Sequence, residues 1–149
     1  MAERFKFSLD KLLEIREDKE EESKRIFTET QRQKQNTEKK LNQLKSDYDK
    51  YNGIVPGEDV VYQKLKRYYL QGLETGIKET EKDLVLKDKK VNEARNDLVS
   101  KQVDRKTVEI LKEKKLLEHI KEEERVEQVN LDEIALYSYM RNINEGRWE

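Results

Sequence analysis

The sequence contains no cysteine, one proline, five glycines and one histidine in 149 residues, and no long apolar run. Without cysteine there are no disulfides and no thiolate metal ligands, as a reducing cytosol permits. No apolar stretch approaches the length of a membrane span, and the opening MAERFKFSLDK lacks the uninterrupted apolar core of a signal peptide. A soluble, cytoplasmic chain with no direct membrane insertion is expected. No glycine-rich phosphate loop is present. His119 lies in a charged helical stretch, where a surface role is expected rather than acid–base chemistry. Neighbouring glutamates such as Glu122 and Glu123 form no metal site without ligands from another element. The reading is therefore non-enzymatic, with no catalytic, cofactor-binding or metal residues, no cofactor and no small-molecule substrate. A net charge of -1 leaves no basic footprint for nucleic acid.

What the chain has in abundance is charge: 44% of residues are charged and 34% hydrophobic, with 32 basic residues against 33 acidic ones. A globule of this length needs a larger apolar fraction to offset its conformational entropy. Disorder or long helices burying a narrow stripe are the two alternatives. Balanced charge and regular apolar spacing favour helices.

The stretch NGIVPGED, Asn52–Asp59, gathers two glycines and the only proline. Gly53 and Gly57 supply positive φ, while Pro56 disfavours helix at Val55. Asp59 then caps a following helix. The chain is expected to be all-α, a single antiparallel two-helix coiled-coil hairpin with unequal helices: helix 1 about 9–51, turn about 52–59, helix 2 about 60–144. Ser8 is the expected cap of helix 1, with Phe7 and Leu12 as a hydrophobic staple. Gly146 supplies the C-terminal stop of helix 2, and Trp148 beyond it is expected to be exposed.

A three-four grid runs through Leu9, Leu13, Arg16, Glu20, Ser23, Phe27, Thr30, Lys34, Thr37, Leu41, Leu44, Tyr48 and Tyr51, apolar at both ends and polar between. Helix 2 carries Leu70, Leu73, Ile77, Thr80, Leu84, Lys87, Val91, Ala94 and Leu98. Past Leu98 the apolar residues regroup as Val108, Leu111, Leu117, Ile120, then Val126, Val129, Leu131, Ile134 and Leu136, which predicts a slip of phase. Glu20 with Lys24 and Glu21 with Arg25 are favourable i,i+4 pairs.

Helix 1 spans roughly 65 Å and helix 2 roughly 130 Å at about 1.5 Å per residue. Counted back from the turn, Leu9 is expected near Leu98 to Gln102. Helix 2 from about Val103 onward then lacks an intramolecular partner, and its apolar residues require another chain or self-association.

The stretches FKFSLDKLLEIREDKEEE, YYLQGLETGI and RKTVEILKEKKLLEHIKEEERVEQVNLDEIA resemble, in order and spacing, the FliJ family of the bacterial flagellar type III export apparatus. Val129 stands where many members carry lysine. The resemblance implies a stalk-like coiled coil that enters and promotes assembly of the hexameric flagellar export ATPase. It also implies contact with the export gate protein FlhA and a link with export chaperones, at the cytoplasmic face of the membrane at the flagellar base. Any ATP hydrolysis then belongs to the partner.

For the export gate, the resemblance points to Tyr69, Leu73, Gly76 and Thr80. Leu73 and Thr80 also fall on the grid, so packing on helix 1 is an open second reading. Gly72 and Gly76 form a small-xxx-small pair, read as close packing or weakening. For the ATPase ring the candidates are Leu12, Arg16 and Glu17 on helix 1 with Arg105, Lys106, Glu109, Leu111, Lys112, Lys115, Glu127, Leu131, Asp132, Glu133 and Ile134 on helix 2. A solvated helix face is the alternative for the charged members. A basic run, Lys112, Lys114 and Lys115, precedes an acidic one, Glu122 to Glu124, which can orient a complementary partner. Two other classes stay open: a self-associating structural coiled coil, including the equivalent stalk of a virulence secretion system, and a helical-hairpin holdase chaperone.

Overall fold

A computed structural model describes residues 4–146. Trp148 lies outside them. Two helices account for nearly all of that span, α1 over Asp10–Tyr51 and α2 over Val60–Asn144. The described residues contain no strand.

The turn forms where glycine and proline concentrate. Gly53 and Gly57 take φ values of 117° and 92°, left-handed backbone that residues with a Cβ adopt at a cost. The Asp59 carbonyl accepts the Gln63 N–H at 3.0 Å and starts α2, whereas the Asp59 carboxylate makes no capping bond among the described residues. Gly146, at φ 65°, donates its N–H to the Ile143 carbonyl at 3.1 Å and ends the helix.

By contact, the chain divides into two units, one of residues 18–103 and one combining the residues up to Glu17 with those from Asp104 onward. In the first of these, α1 and α2 run antiparallel. Every grid position from Glu20 to Tyr51 and from Leu70 to Leu98 is buried or half-buried. The polar middle is part of that seam: Glu20, Ser23, Thr37 and Thr80 are as buried as Leu41, Leu73 and Val91. Their polar atoms are paired. Ser23 Oγ donates to Asp97 at 2.8 Å, Lys34 Nζ meets Asp88 at 2.6 Å, and Lys87 Nζ donates to Thr37 Oγ1 at 2.8 Å. Thr80 Oγ1 returns to the Gly76 carbonyl at 2.7 Å. The seam is thus held by hydrogen bonds that an apolar core would not need, and the three that cross from α1 to α2 fix one register. The Glu20–Lys24 pair forms at 3.4 Å, while Glu21 meets Lys24 rather than Arg25.

In the other unit, Phe7, Leu13 and Val108 make a small core with Phe5 and Leu12 packed against it. The Ser8 hydroxyl makes no capping bond among the described residues. The Asp10 N–H reaches the Phe7 carbonyl at 3.2 Å, and the Leu9 carbonyl takes the Leu13 N–H at 3.0 Å. Asp10 pairs with Lys112 at 2.8 Å, and Arg16 donates to the Asp104 carbonyl at 2.7 Å.

These pairs correct the expected overhang. The cover on α2 reaches His119, whose ring lies 5.5 Å from that of Phe5, rather than stopping near Gln102. Two physical causes combine. The turn folds back along the first turns of α2, where Glu58 pairs with Lys66 at 3.2 Å, so that α1 meets α2 at Tyr69 and not at Val60. Residues 4–7 are also non-helical, and an extended residue spans about twice the rise of a helical one.

The expected slip of phase is corrected as well. Here the covered stripe of α2 continues at helical spacing through Arg105, Val108, Lys112, His119 and Glu123. The stems of charged residues carry it. Ile110, Leu111, Leu116, Leu117 and Ile120 drift off it and stay exposed.

Candidate partner-binding surfaces

Early α2 presents the first surface. Of Tyr69, Leu73, Gly76 and Thr80, only Tyr69 is exposed, with its ring edge-on to Tyr51 at 5.4 Å. Leu73 and Thr80 are buried against α1, at 7% and 6% exposure. Gly76 also faces α1, since a Cβ there would sit 3.7 Å from Leu44 Cδ1, whereas Gly72 faces open space. Packing within the hairpin therefore occupies three of the four.

In the turn and the first turns of α2 the structure adds exposed residues that the spacing did not single out: Ile54, Val55, Val60, Val61, Tyr62, Leu65 and Tyr68. The signal was present. Val61, Leu65, Tyr68 and Gly72 have four-three-four spacing, a helix face of their own. A grid begun at Leu70 follows the opposite side.

All candidates for the ATPase ring fall within the unit that combines the N-terminal residues with α2 from Asp104 onward. Several are engaged inside it. Leu12 packs on the Phe7 cluster, Arg16 holds the Asp104 carbonyl, and Lys112 pairs with Asp10. Arg105 pairs with Glu109, and Lys115 with Glu118 at 3.0 Å. Glu17, Lys106, Leu111, Glu127, Leu131, Glu133 and Ile134 are exposed. Asp132 is also exposed and accepts a hydrogen bond from Gln128 at 2.9 Å. His119, expected as a plain surface residue, is half-buried between Phe5 and Glu123, 3.2 Å from a Glu123 oxygen. It helps seat the N-terminal segment. Arg125 hydrogen-bonds Glu122 and holds that carboxyl below its ordinary range, a local pair on an exposed face.

From Leu117 onward the large aliphatic residues and Met140 sort into two stripes. Leu117, Ile120, Glu124, Glu127, Leu131 and Ile134 follow one three-four series. Val126, Val129, Glu133, Leu136, Met140 and Ile143 follow another. At about 100° per residue the two series lie on roughly opposite faces of the helix. Their apolar members are all between 41% and 62% exposed. Covering both would contribute on the order of 10 kcal/mol before the costs of association. One flanking helix covers one face only, so the arrangement suits a partner that surrounds α2.

Among the described residues, no helix is long and apolar enough to cross a membrane. A family model described as "Flagellar FliJ protein" matches residues 5–144. No curated protein and no solved structure matches the chain.

Proposed function

Because the chain belongs to the flagellar FliJ protein family, and is thereby a component of the flagellar export apparatus, we propose that it is the non-enzymatic stalk of the export ATPase. Its α2 C-terminal stretch enters the hexameric ring and promotes the ring's assembly and turnover. The observation that carries this reading is the pair of opposed apolar stripes, Leu117 to Ile134 and Val126 to Ile143. A ring pore offers contacts on every side of one helix, as a two-stranded coiled coil does not. Glu124, Glu127 and Glu133 interrupt the stripes, so the pore would present cations between apolar contacts. Leu111, Leu131, Asp132 and Ile134 are the neighbouring contacts, with Lys106 and Glu17 at the entrance. Leu12, Arg16 and Lys112 act mainly by holding the N-terminal segment on α2, while Arg105 with Glu109 and Lys115 with Glu118 form pairs along α2 itself.

The export gate FlhA is the proposed partner of early α2, through Tyr69 on the exposed side. Leu73, Gly76 and Thr80 support the helix from behind. Export chaperones are further proposed partners. Titration of the purified flagellar export ATPase with this chain tests the reading, following ATP turnover and hexamer formation together. Saturable stimulation at well below one copy per ATPase subunit is expected. No effect on turnover or assembly would overturn it.

A further inference from the structure

Residues 4–9 precede α1 without helical structure and lie against α2 with a slight hold. Among the described residues their backbone makes no hydrogen bond to α2; the Phe7 and Leu9 carbonyls bond only the nearby N–H groups of Asp10 and Leu13. Side chains alone hold the segment. Phe7 is buried with Leu13 and Val108, while Phe5, resting on His119, is half-buried. The Asp10–Lys112 pair that follows is exposed on both sides, where an ion pair contributes little.

The seat is also loosely packed. A hollow of about 420 Å³ lies between the two elements, bounded by Arg4, Phe5 and Lys6 on the segment and by Leu111, Lys115 and His119 on α2. Close-packed interfaces leave no such space. Arg4 and Lys6 make no ion pair among the described residues, because the carboxylates beside the hollow, Glu118 and Glu123, face Lys115 and His119. Few buried contacts and no backbone bonds mark a segment that opens locally at small cost.

The face beneath it leads to one of the exposed stripes. At about 100° per residue, Val126 lies in line with Val108 about five turns further along, and Glu133 and Met140 fall within about 40° of that line. The stripe from Val126 to Ile143 thus continues the face that residues 4–9 cover. A ring following this stripe along α2 meets the segment.

We propose that residues 4–9 are an autoinhibitory cover on α2 that the export ATPase ring displaces, an inference that rests on the stalk reading. Seated, the segment holds the ring off Val108 and Leu111 and limits insertion to the stretch beyond His119. Released, it leaves one face open from Val108 to Ile143. The apparent affinity of the ring then falls with the fraction of chains whose cover is seated.

The chain has no cysteine, so a single pair can be introduced. Phe5→Cys with His119→Cys, joined by a short bismaleimide, fixes the segment on α2; the same variant left unjoined weakens its hold. Titrated into the purified export ATPase, the joined form should need about tenfold more protein than the unjoined form for half-maximal stimulation, with equal helicity by circular dichroism. The unjoined form should be at least as potent as wild type. Saturating ATPase should in turn slow the joining reaction about tenfold, since the coupling is reciprocal. Equal potency of the two forms beside normal stimulation by wild type would overturn this inference alone, as would greater potency of the joined form. A wild type without stimulation would overturn the stalk reading as well.

Discussion

Tyr51, the last residue of α1, stands edge-on to Tyr69 with ring centroids 5.4 Å apart and an interplanar angle of 85°. This pair sets where α1 meets α2. Such aromatic pairs contribute about 0.5–1.5 kcal/mol beyond their buried area. Tyr51→Ala should therefore lower the urea unfolding free energy by about 1–2 kcal/mol. Tyr69→Ala added to Tyr51→Ala should cost less than the sum of the single changes, because the contact is already gone. Full additivity would show that the rings do not couple.

The glycines divide by conformation. Gly72 is helical with open space at its Cβ position, and Gly53 sits at φ 117°. Gly72→Ala should raise stability by about 1 kcal/mol through helix propensity alone. Gly53→Ala should lower it by about 1–2 kcal/mol, because a Cβ is unfavourable at that φ. Thermal unfolding of the two variants beside wild type gives both signs in one experiment.

Alkaline pH should weaken the hairpin. The hydrogen bond to Asp88 raises the pKa of Lys34, and the hydrogen bond from Tyr48 to Glu74 raises that of the Tyr48 phenol. Folding favours the protonated form of both groups. Their contribution is complete below the unfolded values near about pH 10 and is lost as pH rises through the higher folded values. The thermal midpoint should fall above about pH 10, and Lys34→Met with Tyr48→Phe should flatten that part of the profile. A double variant with an unaltered alkaline profile would contradict the assignment.

Both helices and their turn were legible in the sequence because Asn52–Asp59 is the one place where two glycines and the only proline come together. The seam was legible through its polar middle, since spacing rather than hydrophobicity marked Ser23, Lys34 and Thr37 as inward positions. Register was not. The fold-back of Glu58 onto Lys66 and the reach of Phe5 to His119 depend on non-helical backbone, which carries no periodicity to count. Regrouping of apolar residues past Leu98 was visible, but a one-dimensional pattern read it as one displaced seam. In three dimensions it is a covered stripe built from charged stems and two exposed faces. Among the candidate contacts, Leu73 and Thr80 could not be separated from seam positions by sequence because their spacing serves either role.

The most direct test of the stalk account compares one face of α2 with the other. Leu131→Asp with Ile134→Asp places charge on the first stripe, and Val129→Asp with Leu136→Asp places it on the second, all at positions already exposed in the chain. If the ring surrounds α2, each double variant should stimulate the purified export ATPase about tenfold less potently than wild type while its helicity stays nearly the same. Wild-type stimulation by either one would contradict an encircled helix and leave a partner on one side only.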